Sequence, residues 1–203
     1  MAKYGMVIDL NICTGCRACQ AACTMENHTP FWSEKYRTHV EDVASGKFPA
    51  VSRVFVPRLC MQCDNAPCVS VCPTGASHRT AEGIVVVDVD KCMGCKYCIV
   101  ACPYQARFVY EAEDVKKAQE VYGEGQKAAA VDKCTFCQQR LKDRREPACV
   151  STCLAGARIF GDLDDPNSQV SKLVATGQAK PLRADLGTKP KVYYLGNLPR
   201  KEA

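Results

Sequence analysis

Sixteen cysteines dominate the 203-residue sequence, and they fall into four groups of four with none left over. Cys13, Cys16, Cys19 and Cys23 read C-x2-C-x2-C-x3-C, and Cys92, Cys95, Cys98 and Cys102 repeat that spacing. Cys60, Cys63, Cys68 and Cys72 read C-x2-C-x4-C-x3-C, whereas Cys134, Cys137, Cys149 and Cys153 read C-x2-C-x11-C-x3-C. The likeness extends beyond the thiols. CTGCRACQAAC matches CMGCKYCIVAC, and PCVSVCPTGA matches ACVSTCLAGA, so the groups are of two kinds and the chain carries an internal duplication. Three groups follow a short apolar stretch and an Asp, in MVIDLNIC, IVVVDVDKC and AAAVDKC. Such stretches suit strand ends that feed a ligand loop.

Three chemistries compete for these thiols. Disulfides fit poorly, because thiols three residues apart in one loop have no evident partners. The opening MAKYGMVIDL holds neither an apolar run of signal-peptide length nor a twin arginine before one, so no export signal of the chain's own is expected. Zinc favours two separated C-x2-C pairs, whereas two groups here run three cysteines through one loop. Iron–sulfur ligation uses that compact triplet plus a distant fourth thiolate, and C-x2-C-x2-C-x3-C-P is the bacterial ferredoxin run. CMGCKYCIVACP carries it in full. Gly15 and Gly94 can supply the positive φ of a loop whose N–H groups turn toward the sulfurs. In the x3 segment the backbone can turn helical, which would carry the fourth Cys out of the loop toward a neighbouring cluster.

The formal net charge of +5 takes on a different meaning in that light. Four cubanes with their thiolates, at about −2 each, would bring the total to roughly −3. The basic residues then compensate buried negative clusters, and no basic run with interleaved aromatics points to nucleic acid. No apolar run approaches the roughly 20 residues of a membrane helix, so a soluble chain is expected. No nucleophile–base constellation, phosphate loop or dinucleotide fingerprint occurs, and no catalytic residue is expected.

Two-cluster ferredoxins exchange their fourth cysteines, so the groups must be paired. Only 19 residues separate Cys72 from Cys92, with a turn at Glu82-Gly83 and a β-branched run, enough for a small hairpin. The second and third groups then form a compact module, and the first and fourth close around it. The rival pairing, first with second and third with fourth, leaves linkers of 36 and 31 residues without such a hairpin. The expected fold is α+β: two bacterial-ferredoxin-like modules, one inserted within the other, with small β-hairpins, short helices and extended loops. Residues 1–23 and 130–160 would form the outer module and 52–110 the inner one. Residues 24–51 and 111–129 would connect them, and a tail at 161–203 would pack on the modules.

In the connecting segments a turn at Gly46–Pro49, a strand in SRVFVP, and a short helix after Ala112 with a Gly123–Gly125 loop are expected. In the tail, Asp-Pro in GDLDDP should start a helix bearing Val170, Leu173 and Val174 on one face and ending near Gly177, with KVYYLGN as a strand. His28, His39 and His78 are expected as surface or capping residues, because no cysteine group lacks a ligand.

The order and spacing of the four groups resemble the four-cluster iron–sulfur subunit of the dimethyl sulfoxide reductase superfamily of molybdopterin oxidoreductases. The likeness spans nearly the whole chain, through IDLNICTGCRACQAAC, LCMQCDNAPCVSVCPTGA, KCMGCKYCIVACPYQAR, KCTFCQQRLKDRREPACVSTC and GDLDDP. The segment from Trp32 to Pro49 looks most like the arsenate and sulfur-compound branches. The resemblance implies four 4Fe–4S clusters. Cys13, Cys16 and Cys19 would hold one with Cys153, and Cys134, Cys137 and Cys149 the second with Cys23. Cys60, Cys63 and Cys68 would hold the third with Cys102, and Cys92, Cys95 and Cys98 the fourth with Cys72. Some relatives replace a third-group Cys and hold a 3Fe–4S cluster; Cys95 is retained here, which implies four cubanes. The chain departs from the ferredoxin run in lacking Pro after Cys23 and Cys153. The resemblance further implies a molybdopterin (Mo or W) catalytic partner and a separate membrane-anchor or quinone-reactive subunit. Export with a signal-bearing partner would place the chain in the periplasm or at the outer face of the cytoplasmic membrane. The competing reading is a free-standing soluble polyferredoxin, which would be cytoplasmic.

Overall fold

A computed structural model describes residues 2–123, 127 and 129–199. In chain order the elements are β1 (Tyr4–Asp9), α1 (Ala18–Glu26), β2 (Thr38–Lys47), β3 (Ala50–Leu59), α2 (Pro67–Ser70), β4 (Ser77–Arg79), β5 (Val85–Val87), α3 (Tyr97–Val100) and α4 (Ala112–Tyr122). They continue with α5 (Gln138–Lys142), α6 (Ala148–Ser151), β6 (Arg158–Asp162), α7 (Gln169–Ala175), β7 (Ala179–Pro181), a 3-10 turn at Ala184–Leu186 and β8 (Val192–Leu195).

Strand β1 organises the largest sheet, whose order is β6-β1-β8-β7. It runs antiparallel to β6, with Met6 opposite Phe160, and parallel to β8, with Val7 opposite Tyr193. Both of its faces are covered, which accounts for an apolar run in place of alternation. Met6 and Ile8 face the main core, while Val7 packs with Val170 of α7 and Ala179 of β7. The strand thus emerges rigidly held at Asp9, just before the first cysteine loop. Strand β5 leads toward Cys92 in the same way, through a β4–β5 hairpin in which His78 pairs with Val86. The third apolar approach forms no strand. Asp132 makes only an isolated bridge to Phe108 before Cys134.

The segment between the first two groups holds a long hairpin, with β2 and β3 in register from Thr38↔Leu59 to Lys47↔Ala50. Its base is buried at Thr38, Val40, Val56 and Leu59, while residues 44–53 all stand in solvent. The expected strand in SRVFVP is therefore half of a larger element. Its partner β2 escaped notice because Glu41, Asp42 and Ser45 break the apolar alternation on the part that reaches into water. Helix α4 ends at Gly123, whose φ of 74° closes it with a left-handed cap. The rest of the expected Gly123–Gly125 loop lies outside the described residues.

Helix α7 starts later than the Asp-Pro signal implies. Asp165 caps a turn by accepting from the Asn167 N–H at 2.9 Å, and Ser168 is the N-cap, its Oγ accepting from the Ser171 N–H at 3.1 Å. Val170 is fully buried, and Leu173 and Val174 pack beside it. Strand β6 straddles residue 160, and β7 and β8 complete its sheet, so the C-terminal segment shares one sheet with β1. Seven cysteines belong to the main core itself, alongside Leu10, Met61, Phe136 and Tyr194. What fills the centre of this protein is in large part sulfur.

Candidate metal centres

The two compact loops share one backbone design. Gly15 and Arg17 adopt φ of 70° and 61°, and the equivalent Gly94 and Lys96 adopt 74° and 63°. Each left-handed residue before the helix turns the chain sharply, so that Cys19 and Cys98 fall in the first turn of α1 and α3. Glycine is required for space as well as φ. A Cβ on Gly15 would lie 2.5 Å from the Phe55 ring, and one on Gly94 would lie 2.9 Å from the Ala129 carbonyl oxygen. After the fourth cysteines the backbone folds back onto sulfur. The N–H of Ser77 donates to Cys72 Sγ at 3.3 Å and that of Ala157 to Cys153 Sγ at 3.2 Å. Phe136 N–H donates to Cys134 Sγ at 3.4 Å. Nests of this sort favour anionic sulfur.

All sixteen thiols are free, and their neighbourhoods cross the sequence groups. Cys23, buried on α1, faces the thiols of Cys134, Cys149 and Cys137; burial first, then those neighbours, raise its pKa well above the usual thiol value. Cys13 has Cys19 of its own loop and Cys153 as neighbours. Cys16 stands exposed in the same loop. Burial pushes Cys63 up to about 12, with Cys60, Cys68 and Cys102 adding to the effect. Cys92, Cys95, Cys98 and Cys72 line one cavity, together with Met93, Gly94, Thr74 and Val131. Neighbouring sets also abut. Cys149 feels Cys19, Cys134 feels Cys60, and Cys98 feels Cys68. The thiol sets therefore form a series through the molecule.

Buried cations accompany the sulfurs. Arg158 on β6 is 4% exposed, donates from Nη2 to Cys19 Sγ at 3.4 Å and to Thr38 Oγ1 at 2.8 Å, and has Cys149 as its leading electrostatic neighbour. Arg107 is 3% exposed and donates from Nη2 to Ser77 Oγ at 2.8 Å, with Cys68, Cys60 and Cys98 around it. Among the described residues its Nε and Nη1 have no hydrogen-bond partner. Lys133, 1% exposed, donates from Nζ to the carbonyls of Val85 and Cys134. Gln62 links the same two residues, giving to Cys134 O and accepting from Val85 N, each at 2.7 Å. Arg37 differs, because Asp132 neutralises it at 2.8 Å.

This setting fits iron–sulfur cubanes. A buried guanidinium without a counter-ion is costly, by roughly several kcal/mol per ion, and thiolate-bound anionic clusters supply the missing charge. Among the described residues no three His, Cys, Asp or Glu side chains converge on a site for a single ion. Cubane ligands attach to separate irons and stand further apart. The histidines lie elsewhere: His28 stacks on Tyr122, His39 meets Glu41 at 3.4 Å, and His78 Nδ1 lies 3.1 Å from the Ala76 carbonyl. Sequence reasoning overlooked Arg107 and Arg158. Both stand five residues after the last Cys of their group, in CPYQAR and CLAGAR, a repeat that could have revealed them.

Residues 51–163 match a 4Fe-4S dicluster domain family, and residues 12–76 match a second family of the same description. The chain is thus a 4Fe-4S dicluster protein: its two dicluster domains imply four 4Fe–4S clusters, and sixteen cysteines are present. Curated relatives narrow the class. One subunit of the tetrathionate reductase of Salmonella typhimurium is 41% identical over 96% of this chain and 72% of its own length. One chain of the polysulfide reductase of Wolinella succinogenes is 44% identical over 96% of this chain and 95% of its own. The arsenate respiratory reductase iron-sulfur subunit of a Shewanella species is 36% identical over 99% of both chains. The protein belongs to the family of four-cluster iron–sulfur subunits of the dimethyl sulfoxide reductase superfamily. Among the described residues no helix is long and apolar enough to cross a membrane.

Proposed function

We propose that the chain is the electron wire of an anaerobic respiratory complex, passing electrons between a molybdopterin (Mo or W) catalytic subunit and a membrane quinone-linked or other redox partner. The observation that carries this reading is the series of abutting thiol sets, from Cys13 and Cys19 through Cys149 and Cys134 to Cys60, Cys68 and Cys98. Each cluster, when bound, accepts and returns one electron. The polypeptide holds the sites in sequence, excludes water from the inner ones, and aims N–H groups and guanidinium ions at sulfur. Both loops of the compact type remain open to solvent at Cys16 and Cys95, where redox partners can approach.

Within this reading the ligand sets are Cys13, Cys16, Cys19 and Cys153; Cys134, Cys137, Cys149 and Cys23; Cys60, Cys63, Cys68 and Cys102; and Cys92, Cys95, Cys98 and Cys72. The thiol neighbourhoods and the cavity lined by the last set support these assignments. They correspond to an inner module at residues 52–110 inserted in an outer one at 1–23 and 130–160, with connecting segments at 24–51 and 111–129 and the tail at 161–203. Pairing of β1 with β6, packing of α1 on α6, and packing of α2 on α3 favour that division. A separate membrane-anchor or quinone-reactive subunit completes the proposal, with export alongside a signal-bearing partner to the outer face of the membrane.

Anaerobic purification from the native source tests the proposal. About sixteen irons and sixteen sulfides per chain are expected, together with a co-purifying pterin-containing subunit. Recovery of the iron-loaded chain alone would favour a soluble polyferredoxin, and zinc in place of iron would overturn both.

A further inference from the structure

We infer that Arg158 and Arg107 are potential-setting residues, each lodging one uncompensated cation between the two cluster sites of a ferredoxin unit and raising the potentials of both. The inference rests on the four-cluster reading above and extends it to how the wire is tuned.

Four observations converge. The two arginines stand at the same spacing, five residues after Cys102 and Cys153, the last cysteines of the third and fourth groups. Both are buried to within a few per cent of completeness. Each is surrounded by sulfurs from two different groups: Cys149 and Cys19 around Arg158, and Cys68, Cys60 and Cys98 around Arg107. Among the described residues neither guanidinium pairs with a carboxylate, in contrast to Arg37, which Asp132 neutralises.

Packing alone would not require this arrangement, since a buried charge is commonly replaceable by well-packed apolar side chains. Redox work gives it a purpose. Reduction adds one negative charge to a centre that is already anionic, and a fixed cation in a weakly polar interior favours the reduced form. Shared between two sites, it lifts both together and leaves the difference between them little changed. In each hop one site loses the electron that its neighbour gains. The guanidinium exchanges neither electron nor proton, because arginine stays protonated throughout the accessible pH range.

The test is a potentiometric titration followed by electron paramagnetic resonance on the purified complex, with iron counted in parallel. Arg158→Gln should retain four clusters and lower two of the four midpoint potentials, each by at least tenfold in its reduction equilibrium, or about 59 mV for a one-electron couple. Arg107→Gln should lower the other two. Arg158→Lys and Arg107→Lys, which keep the charge, should stay closer to wild type than the glutamine variants. A glutamine variant that loses iron is replaced by the methionine variant, uncharged and apolar, with the same expectation. Four intact clusters with unmoved potentials in a neutral variant would overturn the inference, as would lysine variants that shift as far as the neutral ones. Absence of the four clusters from the wild-type chain would instead defeat the proposed function.

Discussion

Cys23 departs from the three-residue rhythm of its neighbours, and its position in α1 supports the proposed exchange of fourth cysteines. One turn of helix beyond Cys19 carries it away from its own loop and into the thiol set of Cys134, Cys137 and Cys149. Asn27 caps the same end, its Nδ2 donating to the Cys23 carbonyl at 2.7 Å and lying 3.6 Å from its sulfur. Cys153 makes the reciprocal crossing, toward Cys13. Replacing Cys23 by Ser should therefore disturb the distant cluster and leave four thiolates around the one held by its sequence neighbours. Cys153→Ser should disturb the cluster of Cys13, Cys16 and Cys19. Cluster-by-cluster resonance spectra of the two variants would separate these outcomes, and anomalous diffraction should find one four-iron cluster bound by both Cys23 and Cys134. A cluster bound by both Cys23 and Cys13 would disprove the exchange.

At the scale of elements, short helices and strands hold their places through caps and two-sided burial more than through length. The helices α2, α3 and α6 have four residues each, too few to be stable alone, and packing around the sulfur core must hold them. Helix α7 is the clearest separate case. Ser168 caps its first turn and also donates to the Asp162 carbonyl, tying the helix to the end of β6. Loss of such a cap typically costs about 1 kcal/mol. Ser168→Ala should lower the denaturation midpoint of the iron-loaded protein by a corresponding amount with the iron content unchanged. Loss of iron on the scale of a cysteine substitution would show that α7 does more than cover Val7.

The whole molecule presents two kinds of surface near its ends. Around the third cysteine group Met93 is 68% and Tyr97 64% exposed, with Lys96 between them in solvent. Around the first group Arg17 is exposed on the loop of Cys16, near Asp42 on the protruding β2–β3 hairpin. A wire must dock at both ends, so these loops are the expected contact sites. Arg17→Glu should weaken docking and electron exchange with the partner at one end, and Lys96→Glu with the partner at the other, each with four clusters intact. Pull-down yield and single-turnover reduction kinetics measure these effects. Unchanged assembly and transfer in both variants would remove the two loops from the interfaces.

The iron–sulfur chemistry was legible in the sequence, because ligation demands particular atoms at particular spacings and a duplicated pattern announces itself. The β4–β5 hairpin and the left-handed glycines of the compact loops were legible for the same reason, being local consequences of a few residues. The tertiary structure alone decided the four-stranded sheet, since β1 meets β6 and β8 across 150 residues or more and neither contact leaves a local mark. It also decided the outer half of the β2–β3 hairpin, where pairing rather than burial holds the strands and the apolar alternation lapses. Above all it decided the place of Arg107 and Arg158. A basic residue in a sequence reads as surface by default, and only the folded chain shows a guanidinium closed in with sulfur from two groups and, among the described residues, with no carboxylate to answer it.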